Sequence, residues 1–398
     1  MKVKNNQKIR NQIFAGSFYT FFVNGIITII IGSLLPYIRD AHELSYKFAG
    51  LLISTHSVGA LISSYLGGVL PLYIGRRRSI VFFSSLGVVG FLLMITTGNH
   101  FLLALAFAFT GLNRGAVSNF NNAIINEIAT GEGWALNLLH SIFAIGAFIA
   151  PFITMLFVRK DSSAWIYVAV VVAILCVIEV IVYARMPIPN EDLELKNKKS
   201  KRSKNKIDWG FLKNKYYLVA VGIMFTYLMA EQAFNGWLIT YFTDSGIMSD
   251  NLAQVMASLL WFVILFGRLL YGYFSKSVEK TKLLLVGGTG YLIFMVFLIQ
   301  ARATSPVVIG IIGVGLFMSG IYPTTVASVG HITKEYPMAL SVMLTTAVLG
   351  SIIMPLIIGT VADSMGIIGG MSVVIIAVVV TFLLTVYNRY IYRGVDEV

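Results

Sequence analysis

A few polar residues lie inside long apolar stretches of this sequence, and their types could support chemistry. Glu231 lies near the middle of the stretch 215–243, where an ionised carboxylate is costly and usually faces a cavity or a partner. Burial favours the protonated form of such a group unless a cation offsets it. Gln232 follows directly, and Asn235 lies on the same helical face. We therefore expect Glu231 to exchange a proton, with a structural ion pair or a packing hydrogen bond as the alternative.

A second polar group lies in the stretch 101–128. Arg114 keeps its charge in practice and needs an acceptor, which could be Glu231, a backbone carbonyl or an anionic ligand. Beyond it, serine and asparagine side chains offer donors and acceptors to a hydroxyl-rich or amide ligand, but they can also join helices. Four polar residues within five positions cannot all face one side, so some must be structural. They are Ser118, Asn119, Asn121 and Asn122.

The remaining candidates are isolated polar or aromatic residues. His140 can bind hydroxyl groups or titrate near neutral pH, although a buried histidine is often only a packing residue. Trp237 can stack on a sugar ring or lie in the outer aromatic belt. Glu179 has no polar sequence neighbours, so we expect it to pair locally. Weaker candidates for the lining of a binding site are Asn24, Trp261 and Tyr322.

Metal, nucleotide and disulfide sites are not expected. The five histidines are dispersed, and Cys176 is the single cysteine. The sequence has no Gly-x-x-x-x-Gly-Lys-Ser/Thr loop of the kind that holds phosphate, so direct use of ATP is not expected. We expect no metal ion and no cofactor.

The elements that must position these residues follow from composition. Of the 398 residues, 57% are apolar and only 12% are charged, against about 25% charged in soluble domains. This excludes an ordinary globular enzyme, a nucleic-acid-binding protein and a disordered scaffold, and it indicates the lipid bilayer as the solvent. A membrane-spanning helix needs about 20 mostly apolar residues. Twelve stretches satisfy this: 13–38, 46–71, 79–98, 101–128, 133–158, 163–184, 215–243, 250–274, 281–301, 305–331, 337–361 and 366–391.

The basic residues that give the net charge of +12 are unevenly distributed along the chain. Most of the 30 Lys and Arg residues fall in segments that are cytoplasmic if the N-terminus is cytoplasmic, as the positive-inside rule requires. Both termini are then cytoplasmic, and the first stretch is a membrane helix, not a cleaved signal peptide. The basic segment 185–214 predicts a cytoplasmic linker between two six-helix halves, 1–184 and 215–398.

Local repeats predict a duplicated transporter. Gly146 and Pro151 in the fifth stretch have the same spacing as Gly350 and Pro355 in the eleventh. The loop after the second stretch resembles the signature of the major facilitator superfamily, with Leu72 in place of the usual acid. The end of the eleventh stretch, Gly359-Thr-Val-Ala-Asp363, resembles the family as well. Residues expected to be structural, in close helix contacts or in a charge network, are Gly68, Gly75, Arg76, Arg77 and Arg114.

Within that superfamily the chain resembles the fucose–galactose–glucose:proton symporter group. Three segments carry the resemblance: 111–122 with Gly111, Gly115, Ser118 and Asn122; 136–146 with His140 and Gly146; and 231–242 with Glu231, Gln232, Asn235 and Trp237. The resemblance implies that His140 faces the substrate. The group carries an acid where this chain has Ser118, so Glu231 is the expected proton carrier, with His140 as the other titratable candidate. Without coupling the protein would be a facilitator.

Together these observations predict an all-α integral membrane protein with twelve transmembrane helices in two pseudo-symmetric six-helix halves. The resemblance implies a secondary transporter, monomeric and multi-pass in the plasma membrane, that moves a monosaccharide or polyol with protons by alternating access. The expected partners are the solute, protons and lipid, and no nucleic acid. An exporter of drugs or metabolites from the same superfamily is the alternative, since many aromatic and methionine residues could form a permissive cavity.

Overall fold

The computed structural model describes residues 7–129, 133–188 and 208–396, and its regular secondary structure over those ranges is helical. The first half of the chain contains α1 (Gln7–Ala41), α2 (Tyr46–Val69), α3 (Pro71–Ile74), α4 (Arg76–Thr96), α5 (His100–Ile128), α6 (Gly133–Val158) and α7 (Trp165–Arg185). The second half contains α8 (Lys215–Asp244), α9 (Asp250–Phe274), α10 (Lys280–Gln300), α11 (Thr304–Met318), α12 (Ile321–Ser328), α13 (Gly330–Glu335), α14 (Pro337–Ser372) and α15 (Val374–Asp396). Short 3₁₀ helices precede α7 and α8, at Ser162–Ala164 and Gly210–Lys213.

Long apolar helices account for most of the chain. In the ranges that the structure describes, 11 helical stretches are long and apolar enough to cross a membrane. The last of them, Met338–Tyr392, has 55 residues, more than twice the length that a single crossing needs. It is interrupted at Gly366, whose φ of 74° is one that residues with a side chain rarely adopt, so the stretch divides into the predicted eleventh and twelfth spans. The prediction of an all-helical membrane protein is confirmed.

The described residues form two compact units. The first contains the residues up to His42 and those from Thr55 to 188; the second contains Glu43–Ser54 and the residues from 208 onward. The start of α2 therefore packs with the helices of the second unit. Most of the predicted linker, residues 189–207, lies outside the described residues.

Each unit has the same internal pattern of helix contacts. In the first unit α1 packs extensively on α6, and α4 packs on both α5 and α7. In the second unit α8 packs extensively on α14, and α10 packs on both α11 and α15. The pairs correspond by position: first with fifth span, and third with fourth and sixth.

The glycines of the repeated Gly-x-x-x-x-Pro segment lie at equivalent contacts in the two units. A Cβ atom on Gly146 would lie 2.1 Å from the carbonyl oxygen of Phe22 on α1. A Cβ atom on Gly350 would lie 2.4 Å from the carbonyl oxygen of Phe225 on α8. Both positions require glycine because the neighbouring backbone occupies the space of a side chain. Gly68, where we expected a similar contact, has open space, since a Cβ there would meet nothing within 4 Å.

Candidate functional site

A histidine–asparagine pair joins α5 and α6 in the first unit. The Nε2 atom of His140 lies 3.1 Å from the Oδ1 atom of Asn122. The Nδ2 atom of Asn122 donates to the backbone carbonyl of Ser118, which fixes the orientation of the amide. Oδ1 is therefore the acceptor, and Nε2 carries the hydrogen. His140 is exposed, with its ring edge-on to Phe21 at a centroid distance of 5.4 Å.

A second polar contact joins α5 to α1. The Nε atom of Arg114 donates to the Thr28 hydroxyl at 3.1 Å, and that hydroxyl donates to the backbone carbonyl of Asn24 at 2.7 Å. Asn24 is buried, and its Oδ1 atom has no hydrogen-bond partner. The arginine thus meets α1 of its own unit through a hydroxyl group, an acceptor that the sequence had not indicated.

Asn119 and Asn121, on the same helix, α5, make hydrogen bonds to other helices of the first unit. Asn121 is fully buried and donates to the Tyr183 hydroxyl at 2.8 Å. Asn119 donates to the backbone carbonyl of Ser64 on α2 at 2.9 Å. Of the four polar residues in this stretch, Asn122 is the one whose side chain meets His140. Asn121 is buried whereas Asn119 is exposed, so these two residues lie on different sides of α5.

Glu231 lies among tyrosines in the second unit. Its side chain is buried and hydrogen-bonded to the hydroxyl of Tyr227, one helical turn earlier on α8. Tyr291 on α10 and Tyr322 on α12 lie within electrostatic range of Glu231. The positive charge of Arg268 on α9 lies within electrostatic range of Tyr227 and Tyr322. Tyr322 was predicted to line the site, whereas Tyr227, Tyr291 and Arg268 were missed; Arg268, a charge within an apolar helix, was the available signal.

The neighbours of Glu231 along α8 differ in accessibility. Gln232 is partly exposed, and the Nδ2 atom of Asn235 is buried without a hydrogen-bond partner. Trp237 is fully buried, and its Nε1 atom donates to the carbonyl oxygen of Pro355 at 3.2 Å. Trp237 therefore packs on α14. Trp261 on α9 is also buried.

The basic loop after α2 makes an ion pair, with a partner that the sequence had not indicated. Arg76 pairs with Glu127 at the end of α5 at 2.8 Å. Arg77 donates to the backbone carbonyls of Ala184 and Met186 at the end of α7. Gly75, with φ 89°, makes the turn between α3 and α4 that aims both arginines.

Asp363 caps the start of α2 within the second unit. Its two carboxylate oxygens accept hydrogen bonds from the backbone amides of Tyr46 at 2.8 Å and Lys47 at 3.0 Å. The Tyr46 hydroxyl donates to Asp244 at 2.8 Å. The helices touch closely here, because a Cβ atom on Gly359 would lie 2.2 Å from the Tyr46 carbonyl oxygen. Asp363 was identified as a family trace, but its partner on α2 was not.

Within the described ranges 7–129, 133–188 and 208–396, no cluster of three or more His, Cys, Asp or Glu side chains could bind a metal ion. The polar side chains described above are mainly amides and hydroxyls, together with the imidazole of His140 and the charged groups of Arg114 and Glu231. Such groups can donate hydrogen bonds to a polar ligand and accept them from it.

Comparison with known proteins gives one family. The family model described as Major Facilitator Superfamily matches residues 17–308 and, in a second match, residues 224–395. A relative named "Protein TsgA homolog" from Buchnera aphidicola subsp. Schizaphis graminum is 22% identical over 324 residues, covering 80% of each chain. The "Glucose/galactose transporter" of Brucella abortus is 24% identical over 369 residues, covering 87% of each chain.

Solved structures show the same fold. The D-xylose-proton symporter superposes with a TM-score of 0.78 at 14% identity, covering 95% of this chain and 96% of that one. The nucleoside transporter NupG superposes with a TM-score of 0.73 at 13% identity, covering 96% of this chain and 99% of that one.

Proposed function

This chain belongs to the Major Facilitator Superfamily, and on that premise we propose that it moves a monosaccharide or a similar small polyol across the plasma membrane together with protons. It is a multi-pass membrane transporter of small solutes. The proposal adds the substrate class, the coupling ion and alternating access between two six-helix halves, 1–184 and 215–398, joined by a cytoplasmic linker. It also includes cytoplasmic termini and a monomeric state.

The observation that carries the substrate class is the His140–Asn122 pair. The pair presents an imidazole and an amide side by side on α6 and α5, and His140 is exposed. A sugar hydroxyl both donates and accepts, so it can bridge such groups where a purely apolar or ionic ligand cannot. The "Glucose/galactose transporter" of Brucella abortus, similar over 87% of this chain, supports the same class.

Glu231 is the proposed proton carrier. It is the acid buried at the centre of α8, with Tyr227 as hydrogen-bond partner and Arg268 near the same tyrosines. A carboxyl group among hydroxyls and near a cation has stable arrangements in both protonation states, as a carrier requires. Proton coupling in the structural neighbour named D-xylose-proton symporter supports this role.

Ser118 supports a second candidate, an uncoupled facilitator. It occupies the position where the resembled sugar symporters carry an acid, and its backbone carbonyl accepts from Asn122. An exporter of drugs or metabolites is the other alternative within the superfamily. It predicts that cells lacking the protein become more sensitive to the exported compound.

Uptake by purified protein in proteoliposomes tests the substrate class. Labelled hexoses, pentoses and polyols are offered singly, and unlabelled sugars compete with whichever enters. We expect saturable uptake of at least one sugar or polyol, reduced by its competitors. The absence of saturable uptake for every compound would reject the proposal.

A further inference from the structure

A buried acid in the first unit has no role in the proposed transport cycle. Glu179 on α7 is completely buried, and its Oε2 atom accepts a hydrogen bond of 2.9 Å from Nδ2 of Asn113 on α5. The two residues are 66 positions apart, so the expectation that Glu179 pairs locally is wrong. The packing of α4, α5 and α7 brings them together.

The surroundings fix the orientation of the Asn113 amide. Nδ2 also donates to the backbone carbonyl of Ser84 on α4 at 3.2 Å. A carbonyl oxygen accepts only, so the group that faces it must be the NH₂ and cannot be Oδ1. Gly87 leaves room for this group, because a Cβ atom there would lie 2.6 Å from Nδ2. The amide therefore uses both hydrogens, one on Ser84 and one on Glu179.

Glu179 and Asn113 each keep one acceptor atom without a hydrogen-bond partner. These atoms are Oε1 of Glu179 and Oδ1 of Asn113, both buried. If Glu179 were ionised, neither atom could donate to the other, and both would be buried and unsatisfied. A single proton on Glu179 supplies the donor that this pair lacks.

The charges around Glu179 favour the same conclusion. Among the described residues, the titratable groups within its electrostatic range are Tyr19 on α1 and two residues of α7 itself, Cys176 and Tyr183. These groups are neutral or anionic, so none of them can balance a carboxylate. On α4 and α5 the neighbouring atoms are the Ser84 carbonyl and the Asn113 amide. A buried carboxylate without a cation is strongly disfavoured, and the group takes up a proton instead.

We infer that Glu179 binds a proton in the folded protein and forms a neutral acid–amide pair with Asn113. The first unit therefore contains a proton-binding site that is separate from Glu231. The bound proton comes from solvent and stays on the carboxyl group. The site is completely buried, and Tyr19 beside it donates to the Leu175 carbonyl of α7. The proton is therefore resident and is not carried across the membrane.

Infrared spectroscopy of the full-length protein in lipid tests the protonation directly. A protonated carboxylic acid has a carbonyl stretching band, shifted on deuteration, that a carboxylate lacks. We expect the wild-type minus Glu179→Gln difference spectrum at neutral pH to contain this band, and the same band to remain in Glu231→Gln. A Glu179-dependent carboxylate band in place of the acid band would overturn the inference.

Asn113→Leu keeps the test decisive if Glu179→Gln fails to fold. Removing the amide leaves the acid without its partner, so its carbonyl band should shift to higher frequency. An unshifted band would show that the acid is not paired with Asn113, and the inference would fail.

Stability and transport give independent readouts. The unfolded chain releases this proton at neutral pH and the folded chain keeps it, so unfolding becomes easier as the pH rises. Glu179→Gln, which keeps an amide hydrogen bond in place of the acid, should flatten this dependence. It should also leave proton-driven accumulation of substrate unchanged. Loss of that accumulation in a folded Glu179→Gln variant would show that the proton is translocated, and residence would be disproved.

Discussion

The imidazole of His140 on α6 donates from Nε2 to the amide oxygen of Asn122 on α5, at 3.1 Å. The contact links two helices of the first unit through an imidazole and an amide group. It also makes the tautomer of His140 a structural feature, because the orientation of Asn122 is fixed by the Ser118 carbonyl.

Replacing His140 by alanine should weaken substrate binding. One lost hydrogen bond of about 1.4 kcal/mol corresponds to about a tenfold rise in the KM for uptake. His140→Gln keeps an NH donor toward Asn122 and should lose less. Initial uptake rates over a range of sugar concentrations measure the change.

Ser141→Ala is the matched control, because that hydroxyl is already occupied by the Asn137 carbonyl. Its KM should equal that of the wild type. A His140→Ala variant with the wild-type KM would remove His140 from the binding site.

The Arg76–Glu127 pair should stabilise the first unit. The two side chains are only 14% and 33% exposed, so the pair lies between an exposed and a buried ion pair. We expect a coupling energy on the order of 1 kcal/mol in a double-mutant cycle of Arg76→Gln and Glu127→Gln. Thermal unfolding in detergent gives the four stabilities.

The neighbouring Arg78 is exposed and serves as the control for that cycle. Arg78→Gln should show no coupling to Glu127→Gln. Additive effects of the Arg76 and Glu127 substitutions would mean that the contact contributes nothing.

Removing the Asp363 carboxylate should loosen the start of α2. The side chain accepts from two backbone amides and adds a negative charge at a helix N-terminus, so Asp363→Ala should cost about 0.5–2 kcal/mol. Hydrogen exchange at the amides of Tyr46 and Lys47 should accelerate. Ser364→Ala, which removes an exposed hydroxyl bonded to the Val361 carbonyl, should leave that exchange unchanged. Equal exchange in Asp363→Ala would contradict the capping role.

His42, just beyond α1, should make stability depend on pH. Burial and the nearby His100 lower the pKa of His42 below its usual 6.5. Between the lowered value and 6.5 the unfolded chain binds more protons than the folded chain, so stability rises with pH through this window and falls as the pH drops. Unfolding temperatures between about pH 8 and about pH 5 should fall less in His42→Gln than in the wild type. Identical pH profiles would disprove the contribution of His42.

The sequence predicted the helices well because a bilayer imposes a fixed minimum length on every apolar stretch. It also identified the polar residues at depth, since each is costly there. It could not supply partners that depend on which helix faces pack together. Helix packing brings Glu127 to Arg76 and Asn113 to Glu179. Tyr227 lies on the same helix as Glu231, but the sequence pattern did not distinguish it from the other residues nearby. The open space beside Gly68 was missed for the same reason, since glycine permits a close contact without requiring one.

Sugar accumulation against a gradient tests the central claim most directly. Wild-type protein or Glu231→Gln is reconstituted into proteoliposomes. Uptake of labelled sugar under an imposed proton gradient is then compared with counterflow in the absence of a gradient. We predict that the wild type accumulates sugar, while Glu231→Gln retains counterflow but loses gradient-driven accumulation, because an amide cannot carry a proton. Gradient-driven accumulation that survives in Glu231→Gln would contradict the account.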